Sequence, residues 1–278
     1  MPVLAGLVLL VSAYGCAAPE KPSLYVFAGS SSKAALEVAA RAFEAETGIG
    51  VYLNIGSSGT LLSQIELTKR GDLYLPASPD YIEKAAGKGV IFSDTEVKTN
   101  YLVPAILVQE GNPRNITGLP DLAGPGLRIA ICDPQNVPAG RYAYEILDYN
   151  NLLAEIGNNI VTYSGNNEEV SSLVILQSVD AAIAWDNVVL QRPDKLDVVY
   201  LQPYQVPRLS YMSGAIITYT EHREMAQRFL DFLVSPEGRA IFRKNGYYTA
   251  EAEARRYAPD AEIGGEYKLP ADYRPLVK

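Results

Sequence analysis

Two runs of small residues stand where chemistry is possible. Gly29-Ser30-Ser31-Ser32 and Gly56-Ser57-Ser58-Gly59-Thr60 each close a β-type segment and open a stretch of helical spacing. At such a turn several backbone N–H groups lack an intrahelical partner and lie at the positive end of the helix dipole. Serine adds hydroxyl donors without bulk, so the turn is a seat for an anion. The bland explanation is helix capping, a common task of serine and glycine. Capping suffices for either run alone, but two runs at equivalent strand ends make the anion seat an equal contender. A third seat is Asp133-Pro134-Gln135-Asn136-Val137-Pro138-Ala139-Gly140, where Pro138 fits the first helical turn and the N–H groups of Ala139 and Gly140 are expected to be free. A fourth is Asn166-Asn167-Glu168-Glu169-Val170, although its first-turn acids complement the helix dipole themselves. Trp185 ends a β run and offers one indole N–H; a core aromatic is its plainer reading.

Composition removes most other chemistry. Twenty-four basic against 32 acidic side chains give a formal charge of -8 with no basic cluster, a poor balance for nucleic acid. One histidine, His222, removes most His-based metal sites, so no bound metal cation is expected, and two cysteines, Cys16 and Cys132, build no disulfide framework. No cofactor motif is present, and the expectation is a protein that is not an enzyme. The remote alternative is a serine hydrolase. Ser30-Ser31-Ser32-Lys33 satisfies Ser-x-x-Lys, while Ser93-Asp94-Thr95 and Lys98-Thr99-Asn100 approximate its companion motifs. The last two lie too close together for that fold. No Gly-x-Ser-x-Gly marks the serine loops, and His222 sits at an exposed helix start.

The elements that must position these loops alternate along all 278 residues, a length suited to one large or two modest domains. Residues 3–11 are apolar and too short to span a bilayer, and Ala13 and Gly15 precede Cys16 as at a bacterial lipoprotein cleavage site. Residues 1–22 therefore read as signal peptide and linker, with Cys16 the first mature residue and the lipid carrier. The mature chain is expected in the periplasm or another extracytoplasmic space. From residue 23 onward, strands at 23–28, 51–55 and 73–75 alternate with helices, and a second set follows from Arg128 to Leu201. Two long β-type runs, Tyr101–Gln109 and Leu209–Tyr219, cross between the sets. The fold class is α/β: two lobes, each a mostly parallel sheet flanked by helices, joined by two extended hinge crossings. Lobe one is residues 23–103 with 208–249, and lobe two is 104–207. The tail 250–278 has no assigned core role.

Val26-Phe27-Ala28-Gly29-Ser30-Ser31, Ser57-Ser58-Gly59-Thr60-Leu61, Gly71-Asp72-Leu73-Tyr74, Asp133-Pro134 with Val137-Pro138-Ala139-Gly140, and the closing Ser235-Pro236 helix pair occur in order over residues 23–249. Together they resemble the periplasmic molybdate/tungstate-binding proteins of ABC importers, which have the type II periplasmic-binding-protein fold. The resemblance implies that a dehydrated tetrahedral oxyanion, molybdate or tungstate, is held between the lobes and passed to an ABC importer permease with its ATPase. Carried over, Ser31 and Ser58 each give a hydroxyl and a backbone N–H, and Ala139 and Val170 give backbone N–H groups. Ser30, Ser57 and Gly140 are additional donors. The family's fifth ligand is a tyrosine hydroxyl, and Trp185 stands in its place with a larger ring. Gly59 replaces a frequent serine. The implied protein is a monomer that touches the membrane only through its lipid. The alternatives are a binder or sensor of sulfate or a small organic acid.

Overall fold

The structure, a computed structural model, describes residues 21–277; the apolar segment 3–11 and Cys16 lie outside the described residues. The first set of elements is β1 (Ser23–Gly29), α1 (Lys33–Thr47), β2 (Gly50–Gly56), α2 (Ser58–Thr68), β3 (Leu73–Leu75) and α3 (Pro79–Gly87). Helix α1 buries Ala35, Leu36, Ala39, Ala40 and Phe43, one face at helical spacing. Gly48 ends it at φ 76°, a left-handed conformation open to glycine without a Cβ clash.

The first crossing is two strands rather than one. β4 (Val97–Leu102) stays with the first sheet, and β5 (Pro104–Gln109) belongs to the second. Pro104 has no N–H to continue the ladder, which is why the run breaks there. The second set is β6 (Ile129–Cys132), α4 (Pro138–Tyr149), α5 (Leu153–Gly157), β7 (Ile160–Ser164), α6 (Asn167–Ile175), β8 (Ala181–Trp185), α7 (Asn187–Gln191) and β9 (Leu196–Tyr200). The return strand β10 (Arg208–Ile216) leads to α8 (Arg223–Val234), α9 (Pro236–Lys244), α10 (Glu251–Ala254) and β11 (Glu262–Ile263).

The first sheet has six strands in the order β11-β10-β3-β1-β2, with β4 also paired to β10; the second has five, β7-β6-β8-β5-β9. Strands β1, β2 and β3 run parallel, as do β6, β7 and β8. The crossing strands enter against them: β10 is antiparallel to β3 and β4, and β5 to β8 and β9. Both sheets are therefore mixed, parallel through their β-α units and antiparallel where the strands that link the lobes run back against them. The tail packs where sequence patterning assigned nothing. β11 pairs with β10, Ala254, Ala258 and Ala261 are buried in the lobe-two core, and Leu276 packs against it. One apolar cluster spans both lobes, holding Ala77 of the first with Val137, Ala139, Tyr142, Val170 and Trp185 of the second.

Candidate functional site

The serine loops and the α4 and α6 starts meet where the C-terminal ends of the parallel strands of the two lobes face each other. After β1 the chain makes one turn of 3-10 helix, Ser30–Ser32, closed by Ser32 Oγ donating to the Gly29 carbonyl at 3.2 Å. Ser31 is buried, and its carbonyl is gripped from two sides, by Asn187 Nδ2 at 3.1 Å and by the Tyr247 hydroxyl at 2.7 Å. Its own hydroxyl bonds to none of the described residues. Ser30 is half-buried beside it.

In the second loop Ser57 serves its helix: its Oγ accepts the Thr60 N–H at 3.4 Å and donates to Thr60 Oγ1 at 2.8 Å. That commits the additional donor expected there. Ser58 is 1% exposed, and its Oγ accepts the Ala77 N–H at 3.0 Å. Since that oxygen accepts, the hydroxyl proton remains to be donated. A Cβ on Gly59 would lie 3.1 Å from the Tyr81 hydroxyl and 3.3 Å from the Asn136 carbonyl of lobe two, so a serine there would crowd the approach of the lobes.

In lobe two, Ala139 is buried as the second residue of α4, and its N–H bonds to none of the described residues. Gly140 departs from expectation. Its N–H donates to the Val137 carbonyl at 3.0 Å, because the chain turns tightly enough for that carbonyl to take Arg141 as well, at 3.2 Å. Glycine is needed at 140 for another reason: an added Cβ would lie 2.1 Å from the Cys132 carbonyl oxygen. Gly140→Ala is expected to push α4 off β6 and lower stability by about 1–3 kcal/mol. Urea denaturation checks this, and an unchanged midpoint would show that α4 shifts freely.

Val170 also differs. It is fully buried, but its N–H donates to the Asn166 carbonyl at 3.2 Å, the first bond of α6, so it reaches a ligand only by sharing that proton. The Asn166 side chain caps Glu169 at 2.8 Å, leaving the Asn167 and Glu168 N–H groups as the open ones. Trp185 is fully buried at the end of β8, and its Nε1 has no partner among the described residues. Two buried polar side chains that the sequence did not single out join this set. The Asn167 amide and the Tyr142 hydroxyl are unpartnered among the described residues, and the Tyr142 ring meets Trp185 edge-on at 4.9 Å. A 3.6-residue period could have flagged Tyr142, one turn beyond Ala139 on the same helix face.

Behind Trp185, Asp186 ties the strand end to the hinge. Its N–H donates to the Val103 carbonyl at 3.0 Å, and its Oδ2 accepts from the hydroxyls of Tyr248 at 2.7 Å and Tyr200 at 3.2 Å. Burial pushes its carboxyl up to about 6, against the two tyrosine hydrogen bonds that favour the charged form. A carboxyl raised in the folded state penalises folding above that pH and not below the unfolded value near 4. Stability should therefore fall as pH rises from about 4 through 6. Asp186→Asn should remove that slope and add about 2–3 kcal/mol at pH 7, read as thermal midpoints from pH 4 to 8.

The lobes are also joined by charge. Asp80 of α3 is 3% exposed and accepts from Arg141 Nη1 of α4 at 2.7 Å and Lys84 Nζ at 2.9 Å. The tail's Glu266 completes the set, 2.7 Å from Lys84 and 3.6 Å from Arg141. Two cations and two anions thus balance beside a cleft whose own donors are neutral. The hydrolase motifs do not assemble. Lys33 pairs with Glu168 at 3.4 Å, Lys98 sits 4.2 Å above the Tyr211 ring, and His222 bonds Asp72 at 3.2 Å, just before β3 and away from the serine loops. Burial holds the Cys132 thiol up at about 12, an inert neighbour of Ser164. No group of potential metal ligands occurs among the described residues.

Two α/β lobes joined by crossing strands, with unpaired N–H and hydroxyl donors turned inward from both, define a solute-binding clamp of the two-lobed type II architecture. The chain belongs to the bacterial extracellular solute-binding protein family, whose model matches residues 24–248. It is 30% identical over 237 residues, 84% of this chain and 88% of the relative, to YvgL of Bacillus subtilis (strain 168), provisionally named an ABC transporter substrate-binding lipoprotein. It is 26% identical over 252 residues, 88% of this chain and 94% of the relative, to the molybdate-binding protein ModA of Mycobacterium bovis. The periplasmic molybdate-binding protein of Azotobacter vinelandii has the same fold, with a TM-score of 0.73 at 20% identity over 82% of this chain and 100% of that one.

Proposed function

We propose that this chain captures a tetrahedral oxyanion between its lobes, molybdate or tungstate by preference, and delivers it to the permease and ATPase of an ABC importer. The observation that carries this reading is the set of buried, neutral donors at the facing strand ends whose protons go to none of the described residues: the Ser31 hydroxyl, the Ser58 hydroxyl (whose oxygen accepts the Ala77 N–H), the Ala139 N–H and the Trp185 indole. Val170 joins them through a shared N–H, with Ser30 beside Ser31. Aligned neutral dipoles hold a dianion without a countercharge, which suits an acidic protein. Donors alone favour a fully deprotonated anion, whereas protonated phosphate needs an acceptor. Lobe one is residues 23–103 with 208–249 and lobe two 104–207. The bound anion contacts both and shifts the population toward the closed clamp that a permease reads. Cys16 is the lipid attachment, placing the monomer in the periplasm or at the outer face of a membrane.

Sulfate is the second reading, favoured by Trp185, whose ring takes more room than the tyrosine of the molybdate/tungstate family. Isothermal titration of desalted protein with molybdate, tungstate, sulfate and phosphate separates the two. One-to-one binding of molybdate and tungstate with sulfate much weaker is expected. Sulfate as the tightest ligand would establish the second reading, and silence across all four would overturn both while leaving the clamp.

A further inference from the structure

We propose that the Tyr142 hydroxyl, acting beside the Trp185 indole N–H, is a lobe-two ligand of the bound oxyanion and a determinant of which oxyanion is retained; this rests on the oxyanion reading above. Buried polar side-chain atoms without a partner are rare, because each leaves its desolvation uncompensated. Here two occur on touching residues, Tyr142 at 4% and Trp185 at 0% exposure, with ring centroids 4.9 Å apart. Their placement is directional. Tyr142 lies one helical turn from Ala139, whose N–H bonds to none of the described residues, so both belong to the same face of the α4 start.

The hydroxyl reaches across to lobe one. Ser210 of β10 is a hydrogen-bonding neighbour of it, but outside the distance and angle of a full hydrogen bond, so the Tyr142 hydroxyl is left unsatisfied among the described residues. Ser210 Oγ donates to the Ala77 carbonyl at 3.3 Å, and the Ala77 N–H donates to Ser58 Oγ at 3.0 Å. A tyrosine of one lobe thus comes up against the backbone that orients the serine donor of the other. Burial raises the Tyr142 pKa, so the group stays a neutral O–H donor next to an anion. The indole N–H donates only, whereas the phenol also accepts, so Tyr142 is the member of the pair that can respond to the protonation and size of the ligand. The hydroxyl that the molybdate/tungstate family places at the end of the strand equivalent to β8 would come here from α4.

Tyr142→Phe keeps the ring against Trp185 and removes only the donor. Because Trp185 is the single tryptophan of the chain, its emission reports the site directly. Molybdate, tungstate and sulfate are titrated against wild type, Tyr142→Phe, Trp185→Phe (by calorimetry) and the Ser31→Ala, Ser58→Ala double variant. The expected result is a shift of Trp185 emission on binding, and a loss of 10-fold or more for the tightest oxyanion in Tyr142→Phe with a narrowed ratio between anions. Wild-type affinity in Tyr142→Phe, with binding lost in the serine variant, overturns the role of Tyr142 and leaves the oxyanion reading standing. Wild-type affinity in all variants overturns both. If Tyr142→Phe does not fold, Trp185→Phe carries the test: a 10-fold loss supports the paired site, and unchanged affinity and selectivity overturn it.

Discussion

Replacing Ser31 and Ser58 together by alanine is expected to weaken oxyanion binding by about 2–6 kcal/mol, the loss of two hydrogen bonds to a charged group. Both side chains are buried at facing strand ends, and neither hydroxyl proton is used among the described residues. The two changes should differ in their effect on folding. Ser31 Oγ has no partner among the described residues, so Ser31→Ala should leave the unfolding midpoint near wild type. Ser58 Oγ accepts the buried Ala77 N–H at 3.0 Å, so Ser58→Ala leaves that donor unpaired and should also destabilise the protein by about 1–3 kcal/mol. Calorimetry gives the affinities and urea denaturation the stabilities. Full affinity in the double variant would place the ligand elsewhere.

Asp80→Ala is expected to lower stability by about 3–5 kcal/mol, the usual result of removing one partner of a buried ion pair. Arg141 is left with a side chain only 10% exposed, in the first turn of α4, where the helix dipole already disfavours a cation. Its remaining hydrogen bonds, to the carbonyls of Pro134 at 3.4 Å and Gln135 at 3.2 Å, are to neutral groups. The only carboxylate left near it among the described residues is the partly exposed Glu266 at 3.6 Å, already paired with Lys84. Asp80 and Arg141 belong to different lobes, so the closed clamp should suffer along with the fold, and ligand affinity should fall too. Asp80→Leu combined with Arg141→Met removes both charges and should recover much of the loss. If the double substitution is as damaging as Asp80→Ala alone, the pair matters for its shape or its hydrogen bonds rather than for charge balance.

Local signals were legible in the sequence. The strands of the first set and the Ser235-Pro236 start of α9 were read within one or two residues. Ser235 Oγ indeed caps Gly238 at 3.1 Å. The serine loops were legible because glycine and small hydroxyl residues at a strand-to-helix turn say which N–H groups the helix leaves open. The reading faltered where a group had two possible partners. Gly140 and Val170 carry N–H groups of helix first turns, but whether these bond the preceding carbonyl depends on how tightly the chain turns, which composition does not encode. The α4 helix stops at Tyr149, two residues before Asn151 takes a φ of 58°, a stop that hydrophobic periodicity does not mark. Tyr142 and Asn167 looked like ordinary helical residues because the absence of a partner is a property of the packed interior.

By itself the sequence determined the class of fold, the two crossings and the four candidate loops, since hydrophobic periodicity and turn chemistry act between near neighbours in the chain. Only the tertiary structure decided which loops face each other, that Arg141 and Asp80 bind across the lobes 61 residues apart, and that Glu266 of the tail joins them. It also decided that Trp185 stands against Tyr142 rather than alone in a core. These are pairings between distant segments. Their free energy depends on sheet register and on burial from both sides, which exist only once the lobes have packed.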